Sequence, residues 1–393
     1  MTERERILAA IRGAAPDRLP WTPRLEFWYR GRLRNGTLPP ELRSLNLVEI
    51  ADRLGVGYYA SVPDFTDCVG DIPNMDRGLG LLDSAVIPFE VELENVDRRV
   101  TQHGNETAVE YHTPVGSIRT AIVFTEEMLG AGASQPYLAE RAIREPRDID
   151  VVGYIFSHSK VKPRLKHYLA LREKVGERGV VVAFANGAAC PIHFIMKELL
   201  TTEQFFYAMA DYPAKLQWLA EQIDPFFANI KEIAASTPAE VVLLGGNYDD
   251  AITTPAFYKR HILPALHDYG ELLHRRGKYL MTHTDGENRR LVQLYLESGF
   301  DIADSVCPYP MTRLHLNEIL ETFDGRITVW GGIPCTMLCA DSASTDQFRR
   351  FIEESVERYR GRTRLILGVS DMVTVDAEWD RLNYITECVQ RHG

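Results

Sequence analysis

The 393-residue chain holds only six cysteines, Cys68, Cys190, Cys307, Cys335, Cys339 and Cys388, and none form a C-x-x-C pair. That is too few for a disulfide scaffold, so reduced thiols are the default. No stretch approaches the ~20 apolar residues needed to span a bilayer, and the amphipathic, charged start at residues 1–12 has no apolar signal core. Positive charge is also in deficit. The 44 Lys plus Arg face 55 Asp plus Glu, a formal net charge of −11, so no global field draws the chain to nucleic acid or anionic lipid. There is no G-x-S-x-G nucleophile elbow, and Gly130-Ala-Gly132 lacks the rest of a dinucleotide fingerprint. The expectation is a cytoplasmic protein that acts on a small molecule, with neither nucleic acid nor membrane as partner.

What is present is an ordinary globular composition, 45% hydrophobic and 25% charged. From residue 179 onward, short β-rich runs alternate with long amphipathic segments, the pattern of parallel strands joined by crossover helices. The runs are 180–184, 241–244, 279–282, 301–303, 327–330 and 365–367, and two earlier candidates near 20–27 and 57–63 bring the strand count to eight. Helices are expected at 203–234, 256–276, 287–298, 314–322, 345–360 and 377–391. Residues 85–125 break this pattern with period-two alternation around Thr113-Pro-Val-Gly116, which predicts a β-hairpin insertion in the N-terminal half. No linker or internal repeat is visible. The fold expected is a single α/β barrel domain over residues 1–393.

In such barrels the chemistry sits where strands end and βα loops begin. Thr282-His-Thr-Asp-Gly286 follows a predicted strand, and i, i+2 spacing turns His283 and Asp285 to one face, where they can hold one metal ion or one substrate group. The alternative is that Asp285 caps the next helix while His283 is a buried, hydrogen-bonded residue. Asn247-Tyr-Asp249-Asp250 closely follows another strand. Adjacent acids resist joint ionisation unless cations or donors face them, so Asp249 and Asp250 are either acid/base candidates or an acidic helix start. Gly368-Val-Ser-Asp371 tips a third strand with the same two readings. Cys335 and Cys339 have helical spacing with no further ligand nearby, which reads as packing. Arg24, among Trp21, Phe27, Trp28 and Tyr29, is a candidate grip for an anionic or aromatic ligand.

These segments together resemble the uroporphyrinogen decarboxylase family and its relatives, the zinc-dependent methyltransferases that serve corrinoid proteins. The resemblance rests on 4–13 followed by Pro16-Asp-Arg-Leu-Pro20, on 184–191, on the loop 246–255, on the His283 strand, on Val329-Trp-Gly-Gly-Ile333 and on Leu367-Gly368. It implies a (β/α)8 TIM barrel. Of the decarboxylase's substrate residues, the first arginine looks like Trp21-x-x-Arg24 and the aspartate like Asp64. The second arginine falls on Trp28, the later tyrosine near Ile195, the serine on Tyr248 beside Asn247, and the C-terminal histidine close to Asp371. The methyltransferase branch holds zinc with His-x-Cys and a last-strand Cys, positions that look like His283-x-Asp285 and Asp371. Both thiolates are carboxylates here, a harder ligand set suited to polarising an oxygen substrate.

The reading that follows is a metal-dependent methyltransferase demethylating a small methoxyl or methylamine substrate onto a corrinoid protein. His283, Asp285 and Asp371 would hold Zn²⁺, Arg24, Asn247 and Tyr248 would contact substrate, and Asp249 or Asp250 would be a proton donor to the leaving group or a further ligand. The alternative is a metal-free carboxy-lyase of the decarboxylase type, in which Asp64 stabilises a protonated intermediate and Arg24 holds a carboxylate.

Overall fold

The computed structural model describes residues 1–61, 74–82, 84–133 and 136–393. Asp64 and Cys68 lie outside the described residues. Among the described residues the twelve strands in chain order are β1 (Phe89–Leu93), β2 (Asp97–His103), β3 (Glu106–Thr113), β4 (Gly116–Val123), β5 (Tyr137–Glu140), β6 (Ser159–Pro163), β7 (Ala183–Asn186), β8 (Val241–Gly246), β9 (Tyr279–His283), β10 (Ile302–Val306), β11 (Thr328–Ile333) and β12 (Leu365–Val369).

All six C-terminal runs form strands, and they pair in parallel in the order β12-β11-β10-β9-β8-β7. Nearly every residue of β7, β8, β10, β11 and β12 is buried, as expected of parallel strands covered on both faces. The two early candidates supply the remaining staves. Segment 20–22 bonds β12 through Thr22 N to Leu367 O and Leu367 N to Pro20 O, and Gly57 N donates to Trp21 O. Segment 57–60 then reaches β7's approach through Tyr58 N to Arg178 O and Val182 N to Ala60 O. These bonds join the two edges of the six-stranded sheet into an eight-stave ring, which is the (β/α)8 arrangement.

Helix starts follow local chemistry. Thr201 and Ser344 cap Thr202–Asp211 and Thr345–Tyr359 with capping boxes completed by Gln204 and Gln347. The expected helix 203–234 is two helices, because Pro213 opens a new one, Pro213–Ser236. The helix expected at 287–298 shrinks to Val292–Tyr295.

The N-terminal insertion is larger than a hairpin. β2-β3-β4-β5 form a four-stranded antiparallel sheet, while β1 pairs with β6, Phe89 opposite Pro163. The period-two pattern at 87–93 specified a strand but not its partner, which lies some seventy residues on and is not encoded by alternation. Among the described residues no helix is long and apolar enough to cross a membrane.

Candidate metal and substrate site

The mouth of the barrel is where strand backbones depart from regularity. The register shifts near the C-terminal ends of β7, β8 and β10, and three non-glycine residues take left-handed backbone conformations there, Asn247 (φ 58°), Ser305 (φ 58°) and Asp371 (φ 57°). Bulges and such φ values re-aim side chains at strand ends and cluster at functional sites. Gly246 sits beside His283 in the ladder, and a Cβ there would lie 2.8 Å from that of His283. Glycine is therefore what lets the imidazole stand at this position.

His283 ends β9 opposite Asp304 of β10. Its Nδ1 contacts Asp304 Oδ2 at 2.7 Å, and Tyr59 Oη donates to both Asp304 oxygens at 2.9 and 3.1 Å. Asp304 is fully buried. With Nδ1 committed to this carboxylate, Nε2 faces the other way, 3.8 Å from Asp285 Oδ1 and 3.5 Å from Asp371 Oδ1. One ligand atom from each of His283, Asp285 and Asp371 lies within 4.8 Å of the others, the one such group among the described residues. The sequence pairing of His283 with Asp285 and Asp371 thus converges in space.

Burial works against a charged imidazole, but Asp285, Asp304 and Asp371 outweigh it and push His283 up to about 10. The two acids then separate. Burial raises Asp285, and the neighbouring Asp371 charge adds to it beyond what His283 and Lys197 offset. Burial also opposes ionisation of Asp371, yet His283 and Arg24 hold it below the ordinary carboxylate value.

The three residues open on a cavity of about 340 Å³, which Arg24, Lys197 and Asn247 also line. That volume is at the small end for ligand sites. Arg24 follows the first closing segment and is 5% exposed. Its guanidinium lies 4.5 Å from the centre of the Phe27 ring and 3.6 Å from Asp371 Oδ1, while its Nε is buried with no hydrogen-bond partner. A buried guanidinium N–H left unpaired costs about 1–3 kcal/mol.

The acids of the 247–250 loop go elsewhere. Asp249 Oδ1 accepts from Ala251 N at 2.9 Å and Asp250 Oδ2 from Arg290 N at 2.8 Å, and neither is on the cavity wall. Local turn and loop capping describes what they touch. Tyr248 is fully buried, its hydroxyl 2.9 Å from Thr282 Oγ1, behind the wall and not on it. Asn247 is on the wall, but its amide is engaged by Asp285 and Lys197.

Asp304, Tyr59 and Lys197 were not picked out from the sequence. Asp304 left a signal, since an acid inside the apolar run 302–306 of a strand buried on both faces requires partners. Tyr59 and Lys197 left none. The sequence matches the uroporphyrinogen decarboxylase (URO-D) family over residues 126–392. No curated protein matches. Among solved structures, a methyltransferase from Methanosarcina mazei is similar at a TM-score of 0.52 and 13% identity, over 100% of this chain and 99% of that one. That likeness supports the fold, and the family match carries the assignment: the chain belongs to the uroporphyrinogen decarboxylase family.

Proposed function

We propose that the protein is a metal-dependent methyltransferase that takes the methyl group from a small methoxyl or methylamine substrate and passes it to a corrinoid protein. The observation that carries this reading is the convergence of His283, Asp285 and Asp371. One imidazole and two carboxylates are a donor set that fits a divalent ion such as Zn²⁺ and leaves a position for substrate. Asp304 fits the same purpose, because a carboxylate on the far ring nitrogen fixes the tautomer and raises ligand basicity.

A divalent ion held there would supply Lewis acidity, making a substrate heteroatom a better leaving group. The residues supply the rest. Arg24, which lines the cavity, offers an anionic substituent a fixed positive charge. The cavity's size selects a small substrate and limits the water around it. A reduced corrinoid on the partner would accept the methyl group as the carbon–heteroatom bond breaks with its electron pair left on oxygen or nitrogen, and solvent water would supply the proton that neutralises the leaving group.

A second reading is favoured by one observation. In the metal-free protein His283 carries a proton beside the cavity, an arrangement suited to protonating the carbanion left when an Arg24-bound carboxylate departs as CO₂. Metal content after zinc supplementation, in wild type and His283→Ala, separates the two. About one ion per wild-type chain and none in the folded variant supports the methyltransferase, with methyl-corrinoid formation followed by its visible spectrum as the activity check. A zinc-free wild type overturns it in favour of the decarboxylase.

A further inference from the structure

We propose that Lys197 and Asn247 form a positioning pair that holds the Asp285 carboxylate at the cavity wall. Its bearing on ligand binding rests on the metal reading above, while the pair itself is defined by contacts in the protein.

Lys197 lies in a π-helical turn, Ile195–Leu199, directly after the short helix Pro191–Phe194. Such turns are rare and are found often at functional sites. An ammonium has three N–H donors, and three acceptors surround this one: Asn247 Oδ1 at 2.7 Å, Gly187 O at 2.8 Å and Gly246 O at 3.4 Å. The ammonium is saturated by protein oxygens from the ends of β7 and β8, so its role is to orient neighbours and not to give a proton to substrate.

The consequence passes through Asn247. Because its Oδ1 is held by the ammonium, its Nδ2 must face the other way, and there it donates to Asp285 Oδ1 at 2.8 Å and Oδ2 at 2.9 Å. The left-handed backbone of Asn247 places the amide in this gap, a conformation that asparagine tolerates better than most residues. Lys197 and the acceptor-only carboxylate of Asp285 fix the amide's sense from its two sides, and without Lys197 one of these two restraints is lost. Among the described residues no backbone N–H is bonded to the Asp285 side chain, so this amide is its fixed point.

The test uses Lys197→Met, Asn247→Ala and the double variant, with Co²⁺ and Zn²⁺ as probes. Expected are a 10- to 100-fold weaker Zn²⁺ affinity in each single variant, a changed visible absorption band for bound Co²⁺, and a double variant no worse than the poorer single one, since Lys197 acts through Asn247. Crystal structures of the metal-free variants should show the Asp285 carboxylate turned or multiply placed. Should Lys197→Met fail to fold, Asn247→Ala carries both readouts. Fully additive effects, or an unchanged affinity with Asp285 unmoved, overturn the pair and leave the metal reading standing. A wild type that binds neither ion overturns the metal reading, and the orientation of Asp285 in the metal-free crystals then decides the pair by itself.

Discussion

Two acidic clusters lie at the ends of barrel strands, and they meet opposite fates. After β8, Asp249 and Asp250 accept hydrogen bonds from the backbone N–H groups of Ala251 and Arg290. After β9 and β12, the partners of Asp285 and Asp371 among the described residues are side chains: Asn247, His283 and Arg24. An acid that backbone N–H groups already satisfy is a loop element. In the function proposed above, an acid whose partners are side chains from several staves is the one that takes a ligand. Position at a strand end does not separate the two cases, and the identity of the donor does.

The largest break in that contrast comes from Asp304, which couples the β9 cluster to the barrel core. Asp304→Asn keeps the volume but removes the charge opposite His283 Nδ1. Zn²⁺ affinity should drop about 10- to 100-fold, and the His283 pKa measured by NMR in the metal-free protein should fall. An unchanged affinity would mean that His283 is not the ligand that anchors the ion.

A pH series sharpens the same point. The metal-free protein holds a proton on His283 up to about 10, and metal must displace it. Apparent Zn²⁺ affinity should therefore climb by about tenfold per pH unit from neutrality upward, whereas an ordinary imidazole would level off above ~6.5. The sign for stability is opposite. With its folded pKa raised, His283 stabilises the metal-free protein fully below ~6.5, and that contribution is lost as pH rises toward 10. A plateau in affinity from pH 7 upward would contradict the raised His283 pKa that the three carboxylates imply.

The contrast also explains what could be read from the chain. Six strands were legible because buried parallel strands are short apolar runs with polar tips, as in Val241–Gly246 and Leu365–Val369. His283, Asp285 and Asp371 were legible as residues, but not their separation from Asp249 and Asp250, which depends on where Arg290 N falls. The pairing of β1 with β6 was hidden for a similar reason, since no local pattern names a partner so distant. Lys197 was hidden because a lysine in an amphipathic segment looks solvated until three carbonyl-type oxygens are found around it.

A smaller effect is expected on the other side of the comparison. Asp250→Ala removes the acceptor for Arg290 N, in a buried position. By analogy with lost caps it should cost about 1 kcal/mol of stability, read from denaturant unfolding, with Zn²⁺ affinity unaltered. A fall in metal affinity as large as that of Asp304→Asn would erase the distinction between the two clusters.

The smallest effect belongs to Cys335 and Cys339. Metal binding through sulfur needs a thiolate, and burial, with Cys339 and Asp371 adding to it, pushes the Cys335 thiol up to about 11. Each sulfur also has a local neighbour: Cys335 Sγ lies 3.7 Å from Met311 Sδ, and Cys339 Sγ lies 3.4 Å from Thr374 Oγ1. The short helix Cys335–Leu338 brings no third ligand to them. Changing both to alanine should leave Zn²⁺ content and affinity as in wild type. Loss of the ion from this double variant would show that sulfur, and not the oxygens of Asp285 and Asp371, completes the site, and the partners of an acid would then not mark it as a ligand.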